Sequence, residues 1–369
     1  MDFLLLAFAD TSKEAAAPNV SLLAAAISLL SSAAIVFVTF WLNSKLEAQK
    51  AQYGEELTKT RSELDAKFAQ QQARFNEELA AQRAERDARR SYEYEARKRL
   101  YDECEPLLFQ LSEFADLSYH RILNMAGAAI AGNLGHDVNW LRDGYYLRST
   151  MYRVLAPAAC LLMIQARLTA VDLRLDERIA HQYRLAKLYY RALMADFEMA
   201  GMGRTMYTPN VADWQALRAK EPSRYWRQAL VWGWLDRAAS SMLVNVGTRS
   251  QIISFGEFDE AVRDERSPIG AAFQPVRDLF FEFSPVDRPI LWRVLTVLAV
   301  TAEMIRRNAQ AVDLEELLPA SDAERIRRSQ GDQWSDPLTL ATTWITNEIT
   351  AESVRRATSY GSATGTASL

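Results

Sequence analysis

A chain of 369 residues, 49% hydrophobic and 24% charged, has room for one or two globular domains and an additional apolar element. Its net charge of −4 argues against the basic footprint of a dedicated nucleic-acid binder, so no nucleic-acid partner is expected. Two cysteines, Cys104 and Cys160, are too few for a disulfide framework or a Cys-rich zinc site. Only eight of the 43 basic residues are Lys. With the abundant Ala, this points to a GC-rich bacterial genome.

After a short N-terminal segment, residues 1–19, the stretch Val20 to Leu42 runs for 23 residues without a charge. As a helix it spans roughly 34 Å, enough to cross a bilayer core of about 30 Å. Trp41 stands at its end, where an amphipathic ring suits the interface. A cleaved signal peptide would begin with basic residues, whereas here Asp2, Asp10 and Glu14 oppose only Lys13. The expectation is a single-pass span, residues 20–42, with the lipid bilayer as partner. Lys45 and Lys50 follow it, so the positive-inside bias places the N-terminus outside and the rest in the cytoplasm.

Residues 43–91 are rich in helix formers. The apolar positions Leu46, Tyr53, Leu57, Leu64, Phe68, Phe75 and Leu79 are spaced 7, 4, 7, 4, 7, 4. That is an 11-residue repeat of about 3.67 residues per turn, which predicts a nearly straight or slightly right-handed, coiled-coil-like stalk. One thin apolar stripe on a charged helix needs a partner, so self-association into a homo-oligomer is expected. The alternative is a single helix held by ion pairs four residues apart. The basic run Arg83 to Arg99 is interleaved with Glu85, Asp87, Glu93 and Glu95, and reads as a solvated, salt-bridged face.

From residue 92 to about 350 the apolar spacing is helical, and an all-α cytosolic domain is predicted. The expected helices are 92–131, 140–171, 175–200, 210–220, 222–246, 267–283, 286–312, 321–329 and 337–357. Pro106 should kink the first of them. Ser267-Pro268, Ser284-Pro285 and Asp336-Pro337 each place a cap before a helix-starting Pro. Ser321 with Glu324 reads as a capping box. Gln251 to Phe255 is a single strand candidate. Ile290 to Ile305 carries Arg293 and Glu303 and reads as a buried helix rather than a second span. Trp226, Leu230, Trp234 and Ala238, four apart, read as core. Residues 351–369, ending in a run of Ser, Thr, Gly and Ala, read as a disordered tail.

Three clusters are worth weighing for chemistry. His120 followed by His136-Asp137 resembles the metal-binding pattern of HD-domain phosphohydrolases. In that family the paired His and Asp sit on a helix; here they follow Gly135 in a predicted turn, where a surface His beside an N-capping Asp is the plainer reading. Asp172, Asp176, Glu177 and His181 could hold a divalent cation on one helix face, but Asp176 also suits an N-cap. Arg148, Tyr152 and Arg153 stand in a strongly apolar stretch, so their charges need an internal carboxylate or an anionic ligand. They are the ligand-binding candidates. No catalytic residue, metal ligand or cofactor is assigned, because no nucleophile with a positioned base is visible. The expected function is a membrane-anchored scaffold, sensor or partner-recruitment protein at the inner face of a bacterial membrane, with a protein partner. An anion- or nucleotide-responsive signalling or defence module is the alternative. A metal-dependent enzyme comes third.

Overall fold

A computed structural model describes residues 18–168, 172–210, 214–247 and 249–363. Two compact units divide the chain, residues 1–89 and 90–369. In the first, the described residues from Pro18 are helical throughout. They belong to α1 (Pro18–Ile130), whose later residues form part of the second unit.

The described residues of the second unit are all-α apart from one hairpin. Its elements are α2 (Tyr145–Leu168), a single 3-10 turn (Leu173–Leu175), α3 (Glu177–Ala192), α4 (Asp196–Met202), α5 (Trp214–Lys220), α6 (Pro222–Tyr225) and α7 (Trp232–Ser241). Then come β1 (Leu243–Val246), β2 (Arg249–Ile252), α8 (Phe255–Arg263), α9 (Pro268–Phe280), α10 (Pro289–Arg307), α11 (Leu314–Leu317), α12 (Ala320–Gln330) and α13 (Pro337–Ala363). β1 and β2 pair antiparallel, Leu243 opposite Ile252 and Val246 opposite Arg249. The all-α class expected from the sequence is the observed one.

The core is organised around α10, which is buried from Pro289 to Ile305 and packs on α3, α4 and α13. Trp292, Leu295, Val297, Leu298 and Ile305 on it are all but inaccessible. Helix α2 is long and apolar enough to cross a membrane by composition, but it is mostly buried within the fold and packs on α3, α7, α8 and α9. It is therefore a core helix. The apolar start of α1, from Ala24, is also long and apolar enough to span a bilayer, and none of it is buried.

Several boundaries differ from the sequence-based expectation, each for a local reason. The expected helix 222–246 is three elements. Trp226 to Val231 is held out of the helix: Trp226 Nε1 donates to the Asp278 carbonyl, 3.3 Å, and the Leu230 amide donates to the Leu193 carbonyl, 2.9 Å. Within this stretch Gln228 Oε1 accepts from the amides of Ile290 and Leu291, 2.9 and 3.1 Å. It thereby satisfies the start of α10, which has no capping side chain of its own. That helix begins at Pro289 rather than near Ser284-Pro285, because residue Arg288 before a proline is driven out of the helical region. Trp234, read as core, is 45% exposed on α7.

Helix α8 was not expected. Ser254 and Glu257 form a capping box at its start, and the strand is displaced to Arg249–Ile252. The capping box read at Ser321 is absent, because α12 begins at Ala320 behind Pro319. Ser267 does cap α9, accepting from the Gly270 amide, 2.8 Å, and Asp336 accepts from the Leu338 amide, 3.2 Å, at the start of α13. Pro106 lies inside an unbroken α1. The helix α13 continues to Ala363, well into the stretch read as a disordered tail, since Ala351, Glu352, Arg355 and Arg356 are good helix formers. Residues 1–17 and 364–369 lie outside the described residues.

Candidate functional site

The stripe of α1 is solvent-facing. Leu46, Tyr53, Leu57, Leu64, Phe68 and Phe75 are 49 to 71% exposed, and Leu79 is partly so. Among the described residues, nothing covers these six side chains.

In the second unit the three ligand-binding candidates on α2 do not converge. Arg148 and Tyr152, one turn apart, both face the segment that leads into α8. Arg148 Nε donates to Asp259 Oδ1 at 2.6 Å, and Asp143 Oδ1 stands 3.7 Å from its Nη1. The Tyr152 hydroxyl donates to the Ile253 carbonyl, 2.8 Å, and its ring meets Phe255 and Phe258. Asp259 accepts in addition from Arg263 Nη2, 2.5 Å. Burial pushes the Asp259 carboxyl up, but the hydrogen bonds from Arg148 and Arg263 outweigh it and hold the pKa below the usual carboxylate value.

Arg153 belongs to a different environment. Four residues before it on α2 is Ser149, whose Oγ accepts from Arg121 Nη2 of α1 at 2.7 Å. The Arg121 guanidinium lies over the Tyr146 ring, 4.6 Å from its centroid. Arg121 is 4% exposed and its Nε has no acceptor. Burial first, then the positive charge of Arg153, hold its pKa below the ordinary arginine value. Among the described residues, no carboxylate lies within ion-pair distance of either guanidinium. The sequence reading missed Arg121. Its signal was available: a cation beside Ile122 and one turn before Met125 on a helix face that must be buried.

Among the described residues, Arg288 and Arg293 are also buried with no carboxylate within ion-pair distance, and both serve helix ends. Arg288 donates to the carbonyls of Leu279, 2.7 Å, and Phe281, 2.5 Å, at the end of α9. Its guanidinium lies 4.3 Å from the Trp226 ring centroid, and burial pushes its pKa down to about 9. Arg293 donates to the Met199 carbonyl, 3.1 Å, and to Thr205 Oγ1, 2.8 Å, at the end of α4; burial pushes it down to about 10. A cation there complements the carbonyl end of the helix.

A groove of about 830 Å³ opens among α2, α3, α7 and α13. Its apolar floor includes Leu161, Leu185 and Met194, its rim includes Arg184, Arg191 and Glu348, and Trp232, 68% exposed, stands at one side. Arg191 is paired with Glu348 and with Glu198.

The acidic and histidine clusters take structural roles. Asp176 caps α3, accepting from the Ile179 amide at 3.0 Å and from the Tyr101 hydroxyl at 2.7 Å. His181 bonds to the Ala309 carbonyl, 2.8 Å. His120 stands 3.6 Å from Asp116 and His136 stands 3.7 Å from Asp287; Asp137 lies in the turn before α2 and caps no helix. Among the described residues, no group of three His, Cys, Asp or Glu side chains could hold a metal ion. No protein-family model matches the chain, and no curated protein or solved structure matches it.

Proposed function

We propose that the chain is a membrane-anchored helical scaffold that recruits a protein partner at the cytoplasmic face of a bacterial membrane. The carrying observation is the apolar start of α1, which is long enough to span a bilayer and has no side chain buried against the rest of the fold. An apolar helix of that length with no side chain buried in its own fold is suited to lipid. The exposed stripe from Leu46 to Phe75 supports a self-associating stalk beyond the anchor. The folded second unit supplies the recruitment surface. The groove beside Trp232 fits that role, since an exposed aromatic at the rim of an apolar cleft is a common anchor for a partner. The positive-inside bias orients the chain with its N-terminus outside.

Fractionation of cells carrying the full chain or residues 43–369 tests the anchor. The full chain should sediment with membranes and resist carbonate extraction, and the shortened chain should be soluble. A shortened chain that still sediments would overturn the single-anchor reading. A Cys placed at Ser368 should resist membrane-impermeant thiol reagents in intact cells, and ready labelling there would reverse the orientation.

A second reading, an anion- or nucleotide-responsive module, is favoured by one observation: Arg121 is buried with its Nε unpartnered, and among the described residues no carboxylate lies within ion-pair distance of it or of Arg153. A thermal melt with added phosphate or nucleotide, run on the wild type and on Arg153→Gln, tests it. Stabilisation confined to the wild type supports it, and no stabilisation removes it.

A further inference from the structure

Residues 46–89 of α1 are four consecutive 11-residue blocks, Leu46–Glu56, Leu57–Lys67, Phe68–Glu78 and Leu79–Arg89. The first position is Leu46, Leu57, Phe68 and Leu79. The eighth is Tyr53, Leu64 and Phe75, then Arg86. The fourth is polar and nearly constant, Gln49, Thr60, Gln71 and Gln82, and the sixth is always small, Ala51, Ser62, Ala73 and Ala84. Eleven residues in three turns advance by about 98° each, so positions one and eight form a single seam with positions four and five on its two shoulders.

This seam is exposed from Leu46 to Phe75 and partly so at Leu79. A cover for it must be another long helix with the same period. Among the described residues the longest other helix is α13, with 27 residues, against 44 in the four blocks. No described helix of this chain is long enough to follow the seam, whereas a second copy of α1 has the length and the period.

We propose that the seam binds a second copy of the chain, parallel and in register, resting on the reading of α1 as a self-associating stalk. Charge decides the direction. In a parallel, in-register pair the last residue of one block faces the fifth residue of the next block on the partner, five positions on, as the flanking positions of a coiled coil do. That sets Glu56 against Arg61 and Glu78 against Arg83, with Lys67 against the neutral Gln72. Only Lys45 and Lys50, next to the apolar segment, are alike. In an antiparallel pair over the same four blocks, Glu56 would meet Glu78 and Lys50 would meet Arg83. Two copies anchored in one membrane by the same end are parallel as well. The polar fourth positions then meet their own equivalents in four layers, and a polar residue at a seam specifies register at some cost in stability.

The test uses the full chain in its membrane, with single cysteines at Leu57, Phe68 or Ala66, the last on the face opposite the seam. Cys104 and Cys160 are buried and do not compete. Brief oxidation should cross-link Leu57→Cys to itself and Phe68→Cys to itself, and Ala66→Cys several-fold less. Co-expressed Leu57→Cys and Phe75→Cys should give no mixed product. A mixed product would overturn the parallel arrangement while leaving self-association standing. A monomeric mass in analytical ultracentrifugation, with no cross-link anywhere, would instead remove the stalk reading itself. Glu78→Arg should cut the Phe68→Cys cross-link several-fold at low salt, and adding Arg83→Glu should restore it. Failure of that rescue would overturn the register.

Discussion

Arg148 and Asp259, 111 residues apart in sequence, form a close ion pair, Nε to Oδ1 at 2.6 Å, that ties α2 to α8. The two side chains are 17% and 15% exposed, so water screens the pair only in part. A few residues along, the Tyr152 hydroxyl on the Ile253 carbonyl makes the same connection. An element missed in the sequence is thus held by the residues singled out as ligand candidates.

Arg148→Ala should therefore destabilise the second unit by about 1.5–3 kcal/mol, the range for a hydrogen bond to a charged group. Asp259→Asn should lose a similar amount, and the double variant less than the two together. Urea unfolding of a fragment from residue 43 measures all three.

The pair also predicts a pH dependence. The folded-state pKa of Asp259 is lowered, so between the folded value and the unfolded value of about 3.9 the unfolded chain binds more protons. Unfolding free energy must rise with pH across that window. The contribution of Asp259 is fully present above about pH 4 and is lost as pH falls through the folded value. Wild type and Asp259→Asn should converge in acid and differ by a constant amount from pH 6 to 8.

Arg153 should behave in the opposite way to Arg148. Among the described residues it has no carboxylate partner, and its charge acts against Arg121. Arg153→Gln should leave stability unchanged or raise it by up to about 1 kcal/mol, and the gain should shrink in high salt. A loss comparable with that of Arg148→Ala would mean that Arg153 makes a contact in solution other than the one it has here.

Gly203 is fixed by a buried side chain rather than by its backbone angles. A Cβ there would overlap the Arg293 guanidinium, which reaches past it to the Met199 carbonyl and Thr205. Gly203→Ala should cost about 1–3 kcal/mol, as overpacking does. Combining it with Arg293→Met, which removes the clashing group, should cost less than the sum of the two. Strict additivity would show that the clash is relieved elsewhere.

The two cysteines should be inert in the folded chain. Both are inaccessible, and burial raises the Cys104 thiol to about 11 and the Cys160 thiol to about 12. A maleimide reagent at pH 7 should label neither in the native protein and both after denaturation. Mass spectrometry reads the count directly.

Features that depend only on local periodicity were visible in the sequence. The 23 uncharged residues from Val20, the 11-residue spacing from Leu46 to Leu79, the helical class of the second unit, and the caps at Asp176, Ser267 and Asp336 each rest on residues within a few turns of one another. The tertiary structure decided what depends on distant partners. It breaks the Trp226–Trp234 run because Gln228 is drawn to the bare start of α10, an acceptor for amides some 60 residues on that no local pattern announces. It likewise separates three side chains that spacing had grouped. Arg148 and Tyr152 face α8 and its approach, where Arg148 finds Asp259, whereas Arg153 has no such carboxylate among the described residues and adds its positive charge to that of Arg121. Helical spacing fixes which face a residue occupies, but only the packing of α1 and α8 against α2 determines whether that face meets a carboxylate or another cation.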